Sequence, residues 1–126
     1  MSNSLGLDVG STTVKLVLTN ENGEILFCEY MRHFSDMRGV LHDLFELATK
    51  DFADLKVKTA VTGSGGMAVS KLLKIPFVQE VVCGTKAVQT HIPQADVVIE
   101  FGGEDAKITY MHPVLEQRIS KNVSRC

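Results

Sequence analysis

The chain has 126 residues, 44% of them hydrophobic and 22% charged, and a formal net charge of −2. This is the balance of an ordinary globular protein of one domain, and the lack of any Lys/Arg cluster argues against nucleic acid as the main partner. The start is polar and Asp8 interrupts the first apolar run, so no secretory signal and no bilayer-spanning stretch are expected, and the expected location is the cytoplasm.

Cys28, Cys83 and Cys126 are far apart and form no Cys-x-x-Cys pair. They support neither a disulfide framework nor a self-contained zinc site, and Cys28 and Cys83 are expected as small core residues.

Leu5 to Leu18 reads as a buried strand, a tight polar turn from Gly10 to Thr12, and a second strand in which Val14, Leu16 and Leu18 share a face. The turn offers backbone N–H groups, the hydroxyls of Ser11, Thr12 and Thr13, and the ammonium of Lys15, with Asp8 at its entrance. Consecutive amides form an anion-binding concavity and a carboxylate can hold a hydrated magnesium ion, so such a turn can take an oligophosphate. The same pattern also suits an ordinary hairpin with a Gly-Ser turn.

Asn20 to Glu24 carries an Asn-Gly turn signal, and Ile25 to Arg32 reads as a third antiparallel strand. Ser35 or Asp36 can cap an amphipathic helix whose apolar positions are Met37, Val40, Leu41, Leu44, Phe45, Ala48 and Phe52. His42, among them, is expected to be structural or solvent-facing.

Lys56 to Thr62 predicts a strand running into Thr62-Gly-Ser-Gly-Gly66, which could bring a helix N-terminus near an anion but lacks the Gly-Lys-Ser/Thr ending of a P-loop, and which reads more simply as a run that lets strand and helix pack closely. A short helix follows from Met67 to Leu73. Val81 to His91 predicts another, with Val82, Ala87 and Val88 inward. Ala95 to Phe101 reads as a continuous buried strand leading into Gly102-Gly-Glu-Asp-Ala-Lys107, with Ile108 and Tyr110 in a hairpin partner and His112-Pro113 at its turn. Val114 to Cys126 shows no pattern. The order β-β-β-α-β-α-α-β-β predicts an α/β domain, a ribonuclease-H-like mixed sheet with helices on its faces.

Asp8-Val-Gly-Ser-Thr-Thr13 and Glu100-Phe-Gly-Gly-Glu-Asp105 share a design: a strand ending in an acid, one residue, a glycine and a polar turn before a second strand. Two such clamps facing each other would bracket a magnesium–phosphate group, as phosphoryl transfer requires.

These residues resemble a known family. The opening is similar to the first phosphate motif of the actin-like ATPase superfamily. Gly102-Gly-Glu-Asp-Ala-Lys107, following Val-Ile-Glu-Phe, resembles the CoA-substrate-specific activases, the ATP-hydrolysing activators of 2-hydroxyacyl-CoA dehydratases and benzoyl-CoA reductases. Thr62 to Gly66 and Pro76 to Val81 fit the same pattern, so the resemblance covers essentially the whole chain.

The resemblance implies that the cofactors are ATP or ADP with Mg2+. Asp8 and Gly10, Ser11, Thr12 and Thr13 would form the first phosphate loop, with Lys15 beside it. Gly102, Gly103 and Asp105 would form the second, near Lys107. Asp8 and Glu100 would serve the metal, although many relatives carry Asp where Glu100 stands. Glu104, where many relatives carry Gln, would accept a proton from the attacking water or orient it, or stand as a solvated turn carboxylate.

Family members are homodimers bridged by a [4Fe–4S] cluster, and Cys126 resembles the first cluster ligand. The Gly-Thr-Gly run, the second cysteine and the adenosine-holding domain do not occur in these residues. The expectation is thus an N-terminal half-domain, inactive alone, of an ATPase that drives a low-potential electron into a CoA-ester dehydratase or reductase. The other readings are a sugar or metabolite kinase half-domain of the same superfamily and a non-enzymatic nucleotide-binding regulatory module.

Overall fold

The computed structural model describes residues 2–102, 105–111 and 117–120. The chain forms two compact units, Met1–Glu80 and Val81–Cys126.

The first unit is built on a four-stranded sheet of β1 (Asn3–Val9), β2 (Thr13–Thr19), β3 (Ile25–Arg32) and β4 (Val57–Thr62), in the order β3-β2-β1-β4. β1 is central, antiparallel to β2 and parallel to β4. Alternation sends Leu5, Leu7 and Val9 of β1 and Val14, Leu16 and Leu18 of β2 to one face, where all six are buried. Helix α1 (Met37–Phe52) lays Leu41, Leu44 and Ala48 into that core, with Met37, Val40, Phe45 and Phe52 packed around them. The seven apolar positions expected from the sequence are thus the ones that touch the core. Asp36 caps α1, its carboxylate accepting the N–H of Gly39 at 3.1 Å.

Helix α2 (Gly66–Leu73) adds Val69 to the same core. After it, Pro76 and Val78 run alongside β4. The N–H of Val61 donates to Pro76 O and the N–H of Val78 donates to Val61 O, both at 2.9 Å.

The second unit holds α3 (Glu80–His91) and an antiparallel sheet of β5 (Val97–Phe101), β6 (Ala106–Met111) and β7 (Gln117–Ser120), ordered β5-β6-β7. β7 falls in the tail that carried no sequence pattern. The expected His112-Pro113 turn lies outside the described residues.

Three expectations are corrected. Cys28 is exposed, because it lies on the edge strand β3 and alternates with Phe27 and Met31, which are the residues that pack on the core. In α3 the buried side chain is Thr85, whereas Val82 and Ala87 are exposed. β5 is not a buried strand, since Val97, Ile99 and Phe101 are exposed on one face and Val98 on the other shares a small cavity with Val81, Gly84 and Thr85 of α3.

Leu44 is fully buried, whereas Leu47 on the same helix is 41% exposed. Leu44→Ala is expected to lower the unfolding free energy by about 2–5 kcal/mol in chemical denaturation, while Leu47→Ala stays within about 0.5 kcal/mol.

Candidate functional site

The site begins where β1 ends. Leu7 and Val9 are committed to the core, so strand alternation turns Asp8 to the opposite face, at the carboxyl end of the central strand. Across the sheet Asp8 is opposite Lys15 on β2 and Thr62 on β4. The Lys15 ammonium Nζ lies 3.2 Å from Asp8 Oδ2. Thr62 Oγ1, on the other side, is buried with no hydrogen-bond partner among the described residues.

The turn that follows is closed by one backbone hydrogen bond, from Gly10 N–H to Thr13 O at 2.9 Å. Among the described residues, no acceptor takes the N–H of Ser11 or of Thr12. Two successive amides with no protein partner, next to hydroxyls and an ammonium, are the groups that bind phosphate oxygens in an anion nest.

The glycine run after β4 packs against this strand end. Gly65 N–H donates to Val9 O at 2.8 Å. Gly63 has a φ of +99°, and a Cβ there would meet Val9 O at 2.2 Å and Asp8 Oδ1 at 2.8 Å. The run therefore serves close packing, the simpler of its two sequence readings, and the close approach is to the Val9 backbone and the Asp8 carboxylate.

One participant carries no sequence signal. His33, just past β3, is buried with only 8% of its surface exposed. Its Nε2 lies 3.1 Å from Gly10 O, its Nδ1 accepts the N–H of Ser35 at 3.1 Å, and its own backbone N–H donates to Thr12 O at 3.0 Å. A lone histidine between a strand and a helix has no spacing to flag it; only the β2–β3 pairing brings it to the turn.

The second hairpin repeats the first. Gly102 N–H donates to Asp105 O at 2.8 Å, with the same spacing as Gly10 to Thr13. Glu100 is opposite Lys107 as Asp8 is opposite Lys15. Glu100 leans toward α3, where a Cβ on Gly84 would meet its Oε1 at 3.7 Å. Gly103, Glu104 and Cys126 lie outside the described residues.

No protein-family model matches the chain. It is 32% identical over 108 residues to the 2-hydroxyisocaproyl-CoA dehydratase activator of Clostridioides difficile, covering 83% of this chain and 40% of that protein. It is 30% identical over 107 residues to the activator of lactoyl-CoA dehydratase of Anaerotignum propionicum, covering 82% of this chain and 40% of that protein. Among solved structures, the 2-hydroxyisocaproyl-CoA dehydratase activator of Clostridium difficile with bound ADPNP superposes with a TM-score of 0.73 at 27% identity, over 94% of this chain and 45% of that one.

The chain is a homologue of the dehydratase activators and has their actin-like ATPase fold. It spans about 40% of the length of the curated relatives it matches. The groups at the end of β1 are of the kinds that can take an anion and, at Asp8, a hard cation. A carboxylate is paired with a half-exposed lysine, two amides and a buried hydroxyl have no hydrogen-bond partner among the described residues, and the flanking position has no room for a side chain.

The glycine at 63 can be tested against Gly23, whose φ is +82° but around which a Cβ would meet nothing within 4 Å. Gly23→Ala is expected to cost about 1 kcal/mol for the left-handed backbone alone. Gly63→Ala adds the overlap with Val9 O, and is expected to cost at least about 2 kcal/mol in the same thermal unfolding series.

Proposed function

We propose that this chain supplies the phosphate-binding part of an ATP-hydrolysing activator of a 2-hydroxyacyl-CoA dehydratase or a related CoA-ester reductase. The observation that carries the reading is the end of β1, where the Asp8–Lys15 ion pair precedes a turn whose Ser11 and Thr12 amides have no acceptor among the described residues. It is supported by the ADPNP bound to the homologous activator.

In this reading Asp8 holds a hydrated Mg2+ through its carboxylate. Such an ion, when bound, neutralises charge developing on phosphate oxygens. The amides of Ser11 and Thr12 and the hydroxyls of Ser11, Thr12 and Thr13 bind those oxygens. Lys15 leaves Asp8 for the phosphate. The exchange is cheap, because a half-exposed ion pair contributes about 1 kcal/mol or less, and Lys15 and Asp8 are 51% and 38% exposed.

The turn of Gly102, Gly103 and Asp105, with Lys107 beside it, is the second phosphate-binding element, and Glu100 assists the metal. Glu104 orients the attacking water or takes its proton. In the whole protein, a homodimer in the cytoplasm, ATP turnover shifts the subunits between two conformations and drives a low-potential electron into the dehydratase. The [4Fe–4S] cluster of that assembly would draw on Cys126 as one thiolate ligand. By itself the 126-residue chain binds nucleotide and does not turn it over.

Calorimetric titration of the chain with Mg–ADPNP tests this reading. Binding is expected for the wild type, with Asp8→Ala weakening it at least tenfold, the order of a lost charge-assisted contact. Equal affinities would overturn the reading. Phosphate release from ATP by the isolated chain is expected to stay at the background rate. Turnover abolished by Asp8→Ala would show instead a self-sufficient enzyme.

A further inference from the structure

We propose that His33 is a positioning residue for nucleotide, its ring holding the Gly10–Ser11 peptide plane so that the Ser11 N–H faces the phosphate. The proposal rests on the reading of that turn as a phosphate loop and identifies what keeps it in its binding form.

The argument starts from the peptide group. In a planar trans peptide the C=O and the following N–H point in opposite directions, and the chain has no cis peptide bond. Fixing a carbonyl on one side therefore aims the next amide at the other. His33 does this twice. Its imidazole takes Gly10 O, which aims the Ser11 N–H away from His33. Its backbone N–H takes Thr12 O, which aims the Thr13 N–H away likewise. The ring thus holds the plane whose amide, the Ser11 N–H, has no acceptor among the described residues, and the backbone contact at Thr12 O anchors the far end of the same turn.

The ring itself is oriented. Ser35 N–H can only donate, so Nδ1 carries the lone pair and the ring proton sits on Nε2, which donates to Gly10 O. Ser35 is placed for this by an unusual backbone, since Phe34 and Ser35 have φ values of 44° and 65°. Neither is glycine, and two successive left-handed residues are a conformation that the surrounding structure must impose. The turn is closed by Asp36 N–H donating to His33 O at 2.7 Å, and Asp36 is also the cap of α1. Phe34, mostly exposed, lies under the Arg32 guanidinium, 5.3 Å from its ring centre. The strained turn thus fixes one imidazole, and that imidazole fixes the phosphate loop.

The chain with His33→Gln and with His33→Met tests the proposal. The two side chains are similar in length and bulk, but only glutamine keeps a donor for Gly10 O. Affinity for Mg–ADPNP is measured by calorimetry at a temperature where thermal melts show all three proteins folded. His33→Met is expected to bind about tenfold more weakly than wild type, and His33→Gln within about threefold of it, although both lose the Ser35 contact and both melt at lower temperature.

A merely structural histidine would predict equal affinities for the two variants, and that result overturns the proposal while the Asp8 reading stands. Absence of Mg–ADPNP binding by the wild type overturns both. A loss in His33→Gln as large as in His33→Met also overturns it, because the donor would then not be what the loop needs.

Discussion

The candidate site depends on the way one buried strand is made to stop. β1 cannot shift by a residue without turning Leu5, Leu7 and Val9 out of the core and Asp8 into it, so its register is set by the hydrophobic effect. Its carboxyl end is then held from several directions. Gly65 N–H binds Val9 O, the His33 ring binds Gly10 O, and Gly10 N–H closes onto Thr13 O. Two backbone groups and one imidazole thus hold Val9 and Gly10, the residues that follow Asp8.

The electrostatics are consistent with a site kept ready for exchange. Asp8 and Lys15 are close, but both keep substantial contact with water, and pairs of that kind are weak and screened by salt. The pair keeps the carboxylate from standing alone, yet a divalent cation and a phosphate can separate it at little cost. The strong constraints lie in the backbone around it, where Gly63 is pressed onto Val9 O and the Asp8 carboxylate. Rigid frame and labile charge pair are what a preorganised phosphate site requires.

The fold was legible where patterns are periodic. The alternation in β1 and β2 and the seven apolar positions of α1 carry the core of the first unit, and they read directly from the residues. Both glycine turns were visible because acid, glycine and polar residues recur at one spacing. Legibility failed where burial depends on partners distant in sequence. Cys28 looks apolar but belongs to the outer face of an edge strand, and Thr85 is polar but is the buried residue of α3. β7 holds a single apolar residue, Ile119, so its strand comes from pairing with β6 and not from its own pattern. His33 was missed for the same reason: nothing within ten residues of it indicates that its ring meets Gly10.

The central claim is that phosphate oxygens are received by the backbone of the Gly10–Thr13 turn. It is tested most directly by following backbone amide resonances of the chain as Mg–ADPNP is added. The account predicts that the Ser11 and Thr12 amides shift most, with a downfield displacement typical of new hydrogen bonds to an anion. Shifts absent from this turn and centred instead on an unrelated cluster, such as the exposed His42, Asp43 and Glu46 on α1, would contradict it.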